Sequence, residues 1–474
     1  VRAYSLDDGR LAWTAKNVHN YMKGSDIFIA DGLVWTGLLA GHDPKTGEVK
    51  RRLTQAMHEP MGHDRCYRNR ITETYFINSK TGGSDFVTLD GKGEFPSPWV
   101  RATCGLGPLP CNGMLYSSPF SCSCLKGTML TGFNALYSTD RAAGKVMRID
   151  GHEGLLKGTA YETTSTTSSS AADWPVNRNN NARSGRTPTP VSGKLARGWE
   201  TKLPSRPTAP TIVGNLVYVA ARDSHVLYAL SRQTGQTVWT FTAGGRIDSP
   251  PAFHQGLLLL GCRDGWVYAL RADNGELAWQ FCDLPTRRLM AADGQLESAW
   301  PVSGAVMVRD GVAYFAAGRS SFLDGGIVVY GLNPSTGHVI YRRQINGPYS
   351  KNGFPIVGAR NTRIQGFKGG NFSSEGDLLF IRHQALRSDL TPVPLAALKQ
   401  QHLIASSGFL DDIPQHRTYW TIDTDLCYGP NTGTTGAGPQ GDILVMDGDV
   451  YYEIRGYLPG RHSTRLIPQK GSTL

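Results

Sequence analysis

No run of about 18 apolar residues occurs, so nothing in the sequence reads as a membrane-crossing helix. The eight cysteines include no Cys-x-x-Cys pair, which argues against a zinc ribbon or a thioredoxin-type site. A phosphate-cradling Walker loop, a dinucleotide fingerprint, a zincin helix and a Gly-x-Ser-x-Gly elbow are all missing. Helical periodicity is scarce too, and only Pro394–Lys399 suggests a helix. Nothing at its start reads as a signal peptide, and the chain opens on Val1–Trp13, which already reads as the end of a repeat. The N-terminal blade is therefore expected to be truncated, and the missing leader does not argue for the cytoplasm.

What is present is turn-forming and aromatic: 56 Gly, 27 Pro, 10 Trp and 19 Tyr in 474 residues. Leu216–Trp239 and Leu257–Trp279 are two versions of one pattern, with Gly235 and Gly275 40 residues apart and a Trp four residues after each. The same signature pairs Gly9 with Trp13, Gly47 with Arg51 and Gly337 with Tyr341, Arg51 being the exception that requires another way of filling the gap between sheets. Repeats of this length, made of short alternating strands, bury their faces only against copies of themselves. The expected fold is all-β: a propeller of about eight four-stranded blades, seven being the alternative count, with the repeat aromatics in the core. It divides into a Cys-rich first half over 1–157, a Ser/Thr/Asn-rich basic connector over 158–198, and a second half over 199–474. Gly275 and Gly337 are 62 residues apart, which places an insertion of about 22 residues near 282–302, where propeller loops gather at a channel mouth.

The net charge of +10 would suit a polyanion, but residues 176–206 hold seven basic side chains against Glu200 alone. A solvated connector accounts for this better than a nucleic-acid surface, so no nucleic-acid partner is expected. Five cysteines lie between 66 and 124. Cys66, Cys104, Cys122 and Cys124 are candidates for disulfides in an oxidising compartment, with buried free thiols or a metal site as alternatives.

Asp173–Thr187, Trp199–Leu203 and the Tyr-Ala-Leu…Gly-x-x-x-Trp repeats resemble PQQ-like β-propeller repeat proteins, the superfamily of the quinoprotein alcohol dehydrogenases. More narrowly, Gly62–Arg68, Trp99–Cys104, Cys122–Cys124, Gly132–Leu136, Gln295–Pro301, Ala317–Gly326 and Leu410–Trp420 resemble large secreted propellers of planctomycete-type bacteria. The resemblance implies the fold and an extracytoplasmic address, in the periplasm, at the cell surface or secreted. It supplies no reaction. The quinoprotein dehydrogenases clamp PQQ beneath a disulfide of adjacent cysteines, beside Ca2+; this chain lacks a Cys-Cys pair. Neither PQQ nor Ca2+ is expected, although Glu297, Asp324 and Asp411 could offer oxygens to calcium.

Three polar clusters carry whatever chemistry exists. In the first, Arg65, Arg68 and Arg70 could grip carboxylate or sulfate, with His63 or Tyr67 as acid or base, or they could pair with Glu59, Asp64 and Glu73. In the second, Arg288, Glu297, Trp300, Arg319 and Asp324 surround the insertion; Glu297 is either an acid at the mouth or a partner of Arg288 or Arg319. The third holds Asp411, Asp412, His416 and Arg417. The expected function is a monomeric ligand- or protein-binding scaffold without quinone. The alternative is a lyase-like enzyme on an anionic polysaccharide, with His63, Tyr67 and Glu297 catalytic. PQQ-dependent alcohol oxidation ranks below both.

Overall fold

A computed structural model describes residues 1–17, 26–56, 68–103, 105–119, 130, 133–137, 154–161, 167–292, 294–354, 366–382 and 384–394, together with backbone strands between 402 and 454. The chain divides into two compact units, one of residues 1–145 and 347–365, the other of 146–346 and 366–474. Both are all-β; the described residues contain a single 3-10 turn, Arg222–Ser224.

In the second unit the repeats become four-stranded antiparallel sheets in simple meander order: 211–242, 252–281, 307–345 and 372–393. These are propeller blades, and the all-β propeller fold expected from the sequence is what the chain adopts. Period-two alternation explains the packing. Along Leu257–Gly261 every residue is buried, because odd and even side chains face different neighbours. Leu258 and Leu260 join Tyr218 and Trp239 from the preceding sheet, whereas Leu257 and Leu259 join Phe315 and Val328 from the following one. Met307, Tyr314 and Val329 continue the series against Leu379 and Ile381.

The repeat tryptophans fasten each blade to the next through two contacts at once. Trp199 Nε1 donates to Arg232 O at 2.9 Å, Trp239 Nε1 to Ala272 O at 3.2 Å, and Trp279 Nε1 to Pro334 O at 3.1 Å. Each indole face also lies on the following turn glycine, so that a Cβ at Gly275 would stand 2.5 Å from the Trp239 ring. Gly275 has φ 78°, so both backbone conformation and contact require glycine there. The spacing that reveals the repeat is thus a two-sided joint.

The expected connector is not uniformly solvated. Leu155–Lys157 adds a fifth strand to the outer edge of the 252–281 sheet. Asp173, Val176, Asn177 and Arg183 are buried. Trp174 bridges Ile212, Pro175 O accepts from Phe253 N, Asn181 Nδ2 donates to Val308 O, and Arg183 Nε donates to Phe372 O at 2.8 Å. This strap therefore touches the first strand of four successive sheets. Residues 187–198 are mostly exposed, as expected. The C-terminal segment carries separate sheets at 372–393, 402–428 and 443–454.

In the first unit, sheets 27–52 and 70–95 share a core of Trp35, Leu53, Phe76 and Val87. Trp13 Nε1 donates to Pro44 O and its ring lies on Gly47. Arg51 makes the exceptional joint: its Nη1 donates to Leu89 O at 2.9 Å and pairs with Asp31 at 2.6 Å. A guanidinium here does the work of an indole N–H. A three-stranded sheet occupies 109–136.

Asp85 is fully buried, and burial pushes its carboxyl up to about 6 despite hydrogen bonds from the Thr81 hydroxyl and the backbone N–H groups of Thr81 and Ser97. Between about pH 4 and pH 6 the native state keeps a proton that the unfolded chain has released, so stability falls as pH rises. A loss on the order of 2–3 kcal/mol across that window is expected in denaturant titrations, flattened in Asp85→Asn. An unchanged profile in the variant would assign the pH dependence elsewhere.

Candidate functional site

An arginine lies one or two residues beyond the second strand in four successive sheets of the second unit: Arg222, Arg263, Arg319 and Arg382. Register explains why they share an end. The second strands pair with the short first strands (Thr211 opposite Tyr218, Ala252 opposite Leu259) and then run on past them to Ala221 and Gly261. The insertion adds to the same end. It folds as a hairpin, Leu289–Ala292 with Gln295–Ser298, whose tip reaches the preceding blade: Gln295 Nε2 donates to Asp223 O and Gln295 Oε1 meets His225 Nε2, both at 2.8 Å. Its second strand returns through Ser298 N, which donates to Arg263 O.

Two buried carboxylates organise the arginines. Asp248 Oδ1 lies 2.7 Å from Arg222 Nε and 3.3 Å from Arg246 Nε, and Oδ2 accepts from Arg263 Nε. Arg263 Nη1 then donates to both Glu297 oxygens, at 3.2 and 2.9 Å. Burial opposes the charge on Arg263, but Asp248 and Glu297 override it and hold the guanidinium above its ordinary range. Farther along, Asp324 links Arg288 to Arg319, accepting from Arg319 Nη2 at 2.8 Å. Arg288 also lies over the Trp300 ring, 5.7 Å from its centroid. Five arginines (222, 246, 263, 288 and 319) thus face four carboxylates: Asp248, Glu297, Asp324 and the less buried Asp223, which lies 3.9 Å from Arg222 Nε and 4.0 Å from Arg246 Nη1. Burial pulls Arg319 down to about 10; Glu297 opposes that fall, and Arg288 and Arg263 add to it. Two donors beside this group, Arg319 Nε and Trp300 Nε1, are buried without a hydrogen-bond partner.

Of the residues singled out from sequence, Arg288, Glu297, Trp300, Arg319 and Asp324 come together here. Glu297, read as either an acid at the mouth or a partner of Arg288 or Arg319, pairs with Arg263, because the hairpin's return strand runs beside the end of the 257–261 strand. Arg222, Arg246, Asp248 and Arg263 were missed. The repeat alignment did carry a signal, since Arg222-Asp223 and Arg263-Asp264 coincide in it.

In the first unit Arg68 pairs with Asp26 at 3.0 Å, and Arg70 donates to the carbonyls of Asn69 and Leu106. Their side chains tie loop backbone together. Glu59 and Asp64, two of the partners considered for them, lie outside the described residues. His63, Arg65, Tyr67, Cys66, Cys104, Cys122, Cys124, Asp411, Asp412, His416 and Arg417 lie outside the described residues, as does the helix expected at 394–399 beyond its first residue. Cys111, Cys262 and Cys282 are free thiols.

Glu297 and Asp324, the described oxygens that could have served calcium, are each neutralised by arginine, and among the described residues no group of three His, Cys, Asp or Glu could hold a metal.

Comparison with known proteins agrees with the repeats. Residues 189–281 match the PQQ_2 family model, described as outer membrane protein assembly factor BamB. Over 69 residues the chain is 35% identical to BamB of Moranella endobia (strain PCIT), a match covering 15% of this chain and 18% of that relative. Among solved structures, BamB from Moraxella catarrhalis is 14% identical over 52% of this chain and 79% of its own, with a TM-score of 0.29. Quinohemoprotein alcohol dehydrogenase ADHIIG from Pseudomonas putida HK5 is 19% identical over 44% of this chain and 34% of its own, with a TM-score of 0.33. Superpositions this loose carry no functional argument. The chain carries PQQ-like propeller repeats.

Proposed function

We propose that this protein is an extracytoplasmic binding and scaffold module whose arginine-lined blade end receives an anionic group of its partner, and that it binds without turnover. The BamB-like repeats over 189–281 support the module class and the compartment. The observation that carries the anionic preference is the surplus of five buried or largely buried arginines over the four carboxylates they face, with Arg319 Nε and Trp300 Nε1 left unmet.

Glu297 is engaged by the Arg263 guanidinium through both of its oxygens, which suits a carboxylate that positions an arginine rather than one presented to a substrate. The test exposes the full chain to polygalacturonate, a sulfated glucan and a neutral glucan. Binding is read by calorimetry, and unsaturated products by ultraviolet absorbance. Salt-sensitive binding to an acidic polymer without absorbance growth is expected. Growth in absorbance would move the chain to the lyase class, and equal binding of the neutral glucan would remove the anionic preference.

A further inference from the structure

We infer that Asp324 is a built-in occupant of the anion site, and that the natural ligand group is a carboxylate, as on a uronic acid, which takes its place on Arg319 and Arg288. This rests on the anion-binding reading above.

The geometry shows an occupant that fits incompletely. A free carboxylate meets a guanidinium side-on, accepting from two parallel N–H groups. Asp324 meets Arg319 through Nη2 alone, its other oxygen being taken by Arg288, so Arg319 Nε is left buried and unbonded. Trp300 Nε1, on the indole beneath Arg288, is the second unmet donor. Both orphans are donors only, so what each lacks is an acceptor. Asp324 reaches its position at φ 56°, a left-handed conformation uncommon for a non-glycine residue. Gly325 and Gly326 follow at φ 83° and 100°. An incoming carboxylate that spans Arg319 Nε and Nη2 would satisfy a donor that Asp324 cannot, while Arg288 exchanges one carboxylate for another. No net charge is buried that the native site does not already accept.

The experiment measures binding of oligogalacturonate and of a sulfated oligosaccharide to the wild-type chain, Asp324→Asn, Asp324→Glu and Arg319→Lys. Removing the competing charge in Asp324→Asn is expected to tighten oligogalacturonate binding roughly tenfold, by the loss of a charge-assisted competitor. Asp324→Glu keeps the charge, and its longer arm can reach Arg319 Nε; it is expected to weaken binding. Arg319→Lys, which cannot offer the fork, is expected to abolish it. Equal or weaker binding by Asp324→Asn, with Asp324→Glu unchanged, would make Asp324 a structural counterion and overturn the inference. Preference for the sulfated probe would overturn the carboxylate assignment alone. If neither wild type nor any variant binds either anion, it is the anion-binding reading itself that fails.

Discussion

Trp279→Ala is expected to destabilise the second unit by about 3–5 kcal/mol, the range for emptying a buried aromatic site. The indole is completely buried, between the 252–281 sheet and residues of the 307–345 sheet, and its face covers Gly337 while its Nε1 is bonded to Pro334 O. The loss therefore combines a large cavity with a carbonyl stripped of its donor. Trp279→Phe separates these terms, because it keeps most of the volume and drops only the N–H, for which about 1 kcal/mol is expected. Thermal and urea unfolding of both variants provide the check. If Trp279→Ala cost less than Trp279→Phe, the interblade joint would not be what holds these sheets side by side.

The second large effect concerns Asp248. Arg222, Arg246 and Arg263 all converge on this one carboxylate, and it is almost entirely buried. Asp248→Asn preserves the shape and removes the charge, leaving guanidiniums opposed to one another in a poorly solvated place. A cost of about 3–5 kcal/mol is expected, as for breaking other buried ion pairs from one side. Because the group is shielded, added salt should recover little of it, in contrast to an exposed pair such as Arg197–Glu200. A change within about 0.5 kcal/mol would place the three arginines in water rather than on Asp248.

Much of this architecture is legible in the chain because the joint is chemical as well as periodic. A glycine and a tryptophan four residues apart are visible letters, and each performs a contact that no other residue type makes so compactly. Arg51 was legible as an exception, but its substitute bond to Leu89 O depends on a neighbour that spacing alone does not name. The site divides in the same way. Arg288, Glu297, Trp300, Arg319 and Asp324 stood out as a cluster around an insertion, and they do meet. Their pairing was not legible, because it is set by how far the hairpin returns along a strand 34 residues earlier in the chain, the separation between Arg263 and Glu297. The strap was the largest surprise. Its arginines looked like solvated charge because composition cannot show that a backbone carbonyl on a distant strand is waiting for Arg183.

That strap also dictates an order of events. Arg183 finds its last acceptor, Phe372 O, 189 residues farther along the chain, and Asn181 waits 127 residues for Val308. Neighbouring sheets can assemble from local hairpins as they emerge, whereas this segment can dock only when its last partner has been made. Until then its polar groups must remain hydrated. The four sheets that the strap spans are therefore tied together by a piece of chain synthesised before any of them.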